Sequence, residues 1–110
     1  MAEIFHVDEH DVPWVDVVDD PNAEVGKIRV KPLTVGVETA TRVQYIEYAP
    51  DYVDPMHSHD EGEVFLVSEG ELWLDDARNG PGSILCIPRN ADYAVRSGPE
   101  GARFFRVVVP

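Results

Sequence analysis

Two histidines and a glutamate stand close together near the middle of the chain. His57, His59 and Glu63 lie in the run HSHDEGE, with one residue between the histidines and three before the glutamate. Side chains two apart in extended backbone point to the same face, so His57 and His59 project together. Residues 60–62 can bend the chain and return the Glu63 carboxylate toward the imidazoles. This set suits a divalent ion of iron, manganese, nickel or zinc and leaves coordination positions open for water, substrate or dioxygen.

The residues around this cluster extend the pattern. Taken alone, the hydrophilic run also fits a plain surface loop. Together with its flanks, the segment Pro55–Leu72 resembles the first conserved motif of the cupin superfamily, which reads G, five residues, HxH, three or four residues, E, six residues, G. The HxH, the gap to Glu63 and the gap to Gly70 fit this pattern, whereas Asp51 stands in place of the first glycine. The resemblance implies that His57, His59 and Glu63 are metal ligands.

A second stretch resembles only the start of the second cupin motif, which reads G, five residues, PxG, two residues, H, three residues, N. Gly82 and Pro88 fit, but Asn90 replaces the glycine, Tyr93 the fourth ligand histidine and Ser97 the asparagine. The Tyr93 phenol could bind the metal directly or hydrogen-bond a metal-bound water, given a pKa lowered by the cation. It could instead line the pocket beside a three-ligand metal. A third alternative is that the metal is lost.

The resemblance implies an all-β fold, a double-stranded β-helix of the cupin or jelly-roll-like type. We expect one cupin domain over residues 1–110, with a conserved barrel core at 40–108. The segment 1–26 would then be free to pair with a partner subunit, in a homodimer. The implied function is that of a metal-dependent oxygenase, isomerase or lyase acting on a small organic molecule. The alternatives are a ligand-binding or sensing module with a structural or absent metal, and a dimerisation scaffold.

Other polar side chains are candidates for supporting roles. With Glu63 as a ligand, the acid–base candidates are Tyr93, Glu61 or a histidine from elsewhere in the chain. His6 and His10 are expected at the surface. Five arginines are notable in a chain with nine basic residues, and one of them inside the barrel would anchor an anionic substrate, while surface ion pairing is the simpler expectation: Arg42, Arg89, Arg96, Arg103 and Arg106.

Glycine and proline divide the chain into short apolar segments. The eight glycines and nine prolines favour a sandwich or barrel, and no apolar periodicity supports a helix of three turns. We predict strands at 12–18, 27–33, 40–49, 63–67, 71–75, 83–87, 91–96 and 102–109. We also predict a tight hairpin turn at Ser68–Gly70, a break at 50–55 and a turn at 76–82.

Composition bounds the partners and the compartment. The 21 acidic against nine basic residues give a net charge of −12, which disfavours nucleic acid and anionic membrane surfaces. The one cysteine, Cys86, cannot form an internal disulfide and is predicted to be buried in the run ILCI. No secretory signal or membrane-spanning run is found, so a cytoplasmic protein is expected.

Overall fold

The computed structural model describes residues 4–17, 27–35 and 41–110. In these ranges the chain forms one 3₁₀-helix, Glu9–Asp11, and antiparallel strands, which confirms the all-β prediction. The strands are β1 Val15–Asp16, β2 Ile28–Pro32, β3 Arg42–Tyr48, β4 Val53–His57, β5 Gly62–Leu74, β6 Ala77–Asn79, β7 Ile84–Ile87 and β8 Tyr93–Val109. The predicted strand ends Val18 and Ala40, and much of segment 1–26, lie outside the described residues.

Two long strands, β5 and β8, connect the two halves of the fold. Residues 62–70 of β5 pair with 102–109 of β8, while Leu72–Leu74 pair with Val95–Ser97. The first half has the order β1-β2-β3-β8-β5-β7, and the second has β4-β8-β5-β6. Register shifts in β5 on both sides of Gly70 mark the bend between the halves.

The predicted hairpin at Ser68–Gly70 is wrong. Gly70 has a φ of 67° and pairs with Ala102, so the left-handed glycine bends β5 at a bulge and does not reverse it. The chain reverses instead after Leu74, which pairs with Ala77. Asp75 there has a φ of 51°, the positive φ that two-residue hairpin turns require.

Three further boundaries differ from the prediction. Strand β4 occupies part of the predicted break, because it pairs only with β8 among the described strands and has a register shift that accommodates Pro55. Strand β6 begins within the predicted turn. The two strands predicted at 91–96 and 102–109 are one strand, since Gly101 with a φ of 80° bends β8 without ending it.

Aromatic side chains from both halves form the centre of the core. Phe104 of the first half is fully buried and its ring centre lies 5.0 Å from that of Phe65. Phe65 in turn contacts Tyr93 of the second half, at 6.3 Å between ring centres. Tyr48 packs against the edge of Phe104 at 5.1 Å. The two halves therefore face each other, and the cavity described below opens between them.

The N-terminal residues pack on the outer face of the first half. Strand β1 pairs with β2 of the same chain, with Val15 opposite Val30. Trp14 stacks on Tyr45, with ring centres 5.3 Å apart, and the cationic groups of three residues lie 5.0–5.2 Å from the Trp14 ring centre: Arg29, Lys31 and Arg103. Pairing of segment 1–26 with a partner subunit stays a prediction.

The prediction that Cys86 is buried is wrong. Cys86 is exposed, and the four residues of β7 alternate between exposed and buried. Leu85 and Ile87 therefore point into the core, whereas Ile84 and Cys86 point outward. A run of four apolar residues does not show which parity faces the core.

None of the described helices is long and apolar enough to span a membrane.

Candidate metal centre

A cavity of about 500 Å³ lies between the two halves of the fold. His57, His59 and Glu63 all line it, so the structure brings the three predicted metal ligands to one place. Its other polar lining residues are Gln44, Tyr48, Asp54, Tyr93 and Arg106, and its apolar lining includes Ile28, Ile46, Phe65 and Phe104.

Backbone contacts position the imidazole of His57. It is the last residue of β4 and lies opposite Tyr93 of β8. Its Nδ1 lies 2.7 Å from the carbonyl oxygen of Pro55. A carbonyl oxygen only accepts, so Nδ1 holds the proton and donates it, which leaves Nε2 of the neutral ring as an electron-pair donor. Metal-binding histidines commonly have one ring nitrogen held in this way.

His59 lies beyond the end of β4, in the short connection to β5. The backbone N–H of Asn90 donates to its carbonyl oxygen at 2.7 Å. Asn90 stands where the cupin motif has glycine and has a φ of 65°, a conformation that asparagine tolerates better than most residues. The ring centres of His57 and His59 are 4.9 Å apart.

Glu63 is the most deeply buried of the three candidates. Its side chain is 1% exposed, it accepts a hydrogen bond from the Tyr93 hydroxyl at 2.7 Å, and it forms an ion pair with Arg106. Oε1 also lies 3.7 Å from Nε2 of His59. Burial, together with the hydrogen bond to and the charge of Glu63, raises the pKa of Tyr93 far above its ordinary value. Tyr93 is therefore a protonated donor to Glu63, and direct ligation by Tyr93 stays a prediction.

Arg106 is the arginine placed in the cavity. Its Nε contacts Glu63 and its Nη1 donates to Oε1 of Gln44 at 3.0 Å. Three of the other arginines contact surface groups: Arg42 pairs with Glu61, Arg103 with Glu47 and Glu69, and Arg96 lies over the Trp73 ring. The two expectations for the arginines thus apply to different members of the set.

Glu61, predicted as an acid–base candidate, lies outside the cavity lining. Its Oε1 is 2.6 Å from Nη2 of Arg42. A catalytic role for Glu61 stays a prediction.

Sequence reasoning missed two polar residues of the cavity. Gln44 alternates with Ile46 and Tyr48 along β3, so its inward position follows from strand parity, a signal that was available. Asp54 was assigned to a break between strands, and the irregularity of β4 that turns it inward has no signal in the sequence beyond Pro55.

The donors around this cavity fit a divalent metal in chemistry more closely than in spacing. As the side chains stand, the described residues include no group of three or more His, Cys, Asp or Glu side chains that could hold a metal ion. The separation of the His57 and His59 rings matches the roughly 4.5–5 Å expected for two imidazoles bound to one ion at about 2.1 Å. Glu63 keeps lone pairs beyond the two that accept hydrogen bonds. Small side-chain rotations that draw the donors together would complete the set.

Known structures with the same fold include an enzyme and a regulatory protein. The polyketide cyclase RemF from Streptomyces resistomycificus is 26% identical, with a TM-score of 0.78 over 96% of this chain and 79% of RemF. An RmlC-like cupin from Shewanella frigidimarina NCIMB 400 is 19% identical, with a TM-score of 0.75 over 99% and 92%. ChrR, the anti-sigma protein seen in complex with SigE of Rhodobacter sphaeroides, is 19% identical, with a TM-score of 0.70 over 91% of this chain and 50% of ChrR.

The family of the chain follows from its sequence. No protein with a curated description matches it. The family described as the ChrR cupin-like domain matches residues 2–107. The predicted cupin resemblance and the jelly-roll type of barrel are confirmed, and the chain belongs to the ChrR cupin-like domain family.

Proposed function

We propose that this protein is a metal-dependent enzyme acting on a small organic molecule, with His57, His59 and Glu63 holding the divalent ion. The observation that supports this proposal most strongly is the convergence of the three side chains on one cavity. A volume of about 500 Å³ lies within the range of small-molecule sites, and mixed polar and apolar walls are typical of them.

A divalent ion bound here would supply Lewis-acid chemistry by polarising a substrate oxygen. The neighbouring residues have separate tasks. Arg106 offers a fixed positive charge to a carboxylate, enolate or phenolate group of the substrate. Its contacts with Glu63 and Gln44 use two of the five N–H donors of a guanidinium, which leaves others for such a group. Tyr93 holds the Glu63 carboxylate in place by donating to Oε1.

The comparison with RemF supports an enzymatic role. RemF is described as a polyketide cyclase and is 26% identical over 96% of this chain. A polyketide has carbonyl oxygens, and these are groups that a metal and an arginine would bind. The reaction of the present protein follows from its own cavity only at the level of substrate size and charge.

Metal analysis tests the proposal. Wild-type protein and the variant His57→Ala/His59→Ala are purified after expression in metal-supplemented medium, and their metal content is measured by mass spectrometry. We expect close to one divalent ion per wild-type chain and almost none in the variant. Equal, near-zero content in both proteins overturns the proposal. Oxygen uptake by an iron-loaded sample with diketones or catechols then separates an oxygenase from an isomerase or lyase.

A non-catalytic sensing module is the second candidate, and one observation favours it. Both carboxylate oxygens of Glu63 have protein partners, Tyr93 and Arg106, so the site is stable without a metal. ChrR, an anti-sigma protein, is a regulatory protein with this fold. If metal binding or a small ligand changes the protease sensitivity of the chain and no turnover is detected, the sensing function is supported.

We also infer that two copies associate through the outer face of β5 and β7. Leu66 and Ile84 lie opposite each other in register, and they are 36% and 62% exposed. In a chain of net charge −12, an uncharged apolar face allows approach without like-charge repulsion. Light scattering should give twice the chain mass for the wild type and the chain mass for Ile84→Glu. The matched control is Val53→Glu, which alters an equally exposed valine on β4 and should stay dimeric.

A further inference from the structure

A bulge in β4 turns Asp54 toward the proposed metal ligands. Asp54 lies opposite Val95 and His57 opposite Tyr93, so three steps along β4 match two steps along β8. Residues three apart in a regular strand point to opposite faces. The extra residue restores a common face, and Asp54 and His57 both line the cavity. Between them, Pro55 and Met56 are exposed.

The contacts of Asp54 resemble those of a ligand carboxylate. Its Oδ2 lies 3.7 Å from Nε2 of His57, and the Tyr48 hydroxyl donates to the same oxygen at 3.4 Å. Because the Nδ1 proton of His57 is donated to Pro55, Nε2 of the neutral ring has a lone pair. A lone pair and a carboxylate oxygen that face each other repel unless a cation lies between them, and two ligands of one ion are about 3–4 Å apart.

The same arrangement occurs at the other pair of candidates. Nε2 of His59 also lies 3.7 Å from a carboxylate oxygen, Oε1 of Glu63. The cavity thus has two nitrogen–carboxylate pairs at equal separation, one on β4 and one joining the β4–β5 connection to β5. The two imidazole rings are neighbours at 4.9 Å, which places both pairs around the same part of the cavity.

Charge favours a second carboxylate at this site. A divalent ion beside Arg106 brings three positive charges into a partly buried cavity, and Glu63 offsets only one of them. Adding Asp54 reduces the excess from two charges to one, and uncompensated charge in a low-dielectric site is costly. Tyr93, at the position of the fourth histidine of the cupin motif, is a neutral donor to Glu63 and supplies no negative charge.

We propose that Asp54 is the fourth protein ligand of the metal ion, in place of the histidine that the motif has at the position of Tyr93. This inference rests on the proposed function, since it requires a metal held by His57, His59 and Glu63. It gives the chain a ligand set of two imidazoles and two carboxylates, which favours harder ions such as manganese(II) or iron(II) over a set with three histidines.

Metal titration of Asp54→Asn tests the inference. Metal-free wild type and variant are titrated with cobalt(II), with affinity measured by calorimetry and coordination by visible absorption. The matched control is Asp60→Asn, which makes the same change at an exposed residue between His59 and Glu63. We expect Asp54→Asn to weaken cobalt binding at least tenfold and to shift its visible bands, and Asp60→Asn to stay within threefold of the wild type.

The outcomes separate this inference from the proposed function. If wild type binds cobalt and Asp54→Asn binds it within threefold with the same spectrum, Asp54 is not a ligand, although the metal centre stands. A variant that only loses stability in the metal-free state also overturns the inference, because Asp54 is then an ion-pair partner of a protonated His57. If wild type binds no metal, both proposals fail.

A measurement on the wild type avoids any folding defect of the variant. With ¹³C-labelled carboxyl groups, substoichiometric manganese(II) should broaden the Asp54 carboxyl signal together with that of Glu63. The signal of Asp75, at the turn between β5 and β6, should stay sharp. An Asp54 signal as sharp as that of Asp75 while Glu63 broadens would overturn the inference.

Discussion

Replacing Arg106 by methionine should destabilise the metal-free protein by about 3 kcal/mol. The Glu63 side chain is 1% exposed and that of Arg106 is 21% exposed. Removing one partner of a buried ion pair costs about 3–5 kcal/mol because the remaining charge stays desolvated. We expect the lower end, since Arg106 is partly solvated and the Tyr93 hydroxyl still donates to Glu63. Methionine keeps much of the apolar stem, so the loss is mainly electrostatic.

The control is Arg42→Met, which removes the same charge from a surface pair. Arg42 and Glu61 are 56% and 31% exposed, and such pairs contribute about 0–1 kcal/mol. Urea unfolding with a chelator present, followed by the fluorescence of Trp14 and Trp73, gives both free energies. At about 4 °C or more per kcal/mol, Arg106→Met should also melt at least about 12 °C below the wild type.

Two results would refute this reasoning. One is a loss in Arg106→Met no larger than in Arg42→Met, which would mean that the Glu63 carboxylate is hydrated in solution. The other concerns the double variant Glu63→Gln/Arg106→Met. With the buried charge removed, the second substitution should cost clearly less than it does in the wild type, and a cost as large as in the wild type contradicts the proposed pairing.

Three further predictions concern other parts of the fold. Because the pKa of Tyr93 is raised in the folded state, its contribution to stability is complete below pH of about 10 and is lost above it; the drop in unfolding free energy from pH 9 to pH 11 should therefore be smaller in Tyr93→Phe, and equal drops would contradict this. Gly70→Ala should destabilise by more than about 3 kcal/mol, since its methyl would overlap the Gly101 carbonyl as well as strain a positive φ, whereas Gly82→Ala, with open space around it, should lose about 1–2 kcal/mol in urea unfolding; equal losses would refute the overlap. The exposed Cys86 should react with a thiol reagent in the folded protein as fast as in urea, and protection that ends only on unfolding would show that β7 is covered.

The candidate ligands were predictable because they are neighbours in the sequence. His57, His59 and Glu63 are separated by short gaps, and strand parity and the cupin resemblance act over that range. Arg106 and Gln44 could be identified as candidates only by type. Their contact joins residues 62 positions apart and depends on the register of β3 and β8, which no local pattern specifies.

Bends and bulges account for most of the errors in the fold. A glycine between apolar segments indicates a change of direction, but Gly70 and Gly101 bend strands that continue, while the hairpin turn forms at Asp75. The inward position of Asp54 depends on one extra residue in β4. Cys86 shows the related limit of a uniformly apolar strand, whose two faces differ only in what packs against them.

The pairing of β8 has a consequence for how quickly the molecule folds. Strands β3 and β5 do not pair with each other, and β8 lies between them, with Arg42 opposite Val108 and Gly62 opposite Val109. These partners are far apart in sequence, so loop-closure entropy is lost before any contact compensates for it, which is typical of β proteins that fold in milliseconds to seconds. Until β8 docks, one edge of β5 is unpaired, and Tyr93 and Arg106 are absent from the cavity. We therefore expect the barrel and its metal centre to form in a single slow step, with no early intermediate able to bind metal through the complete site.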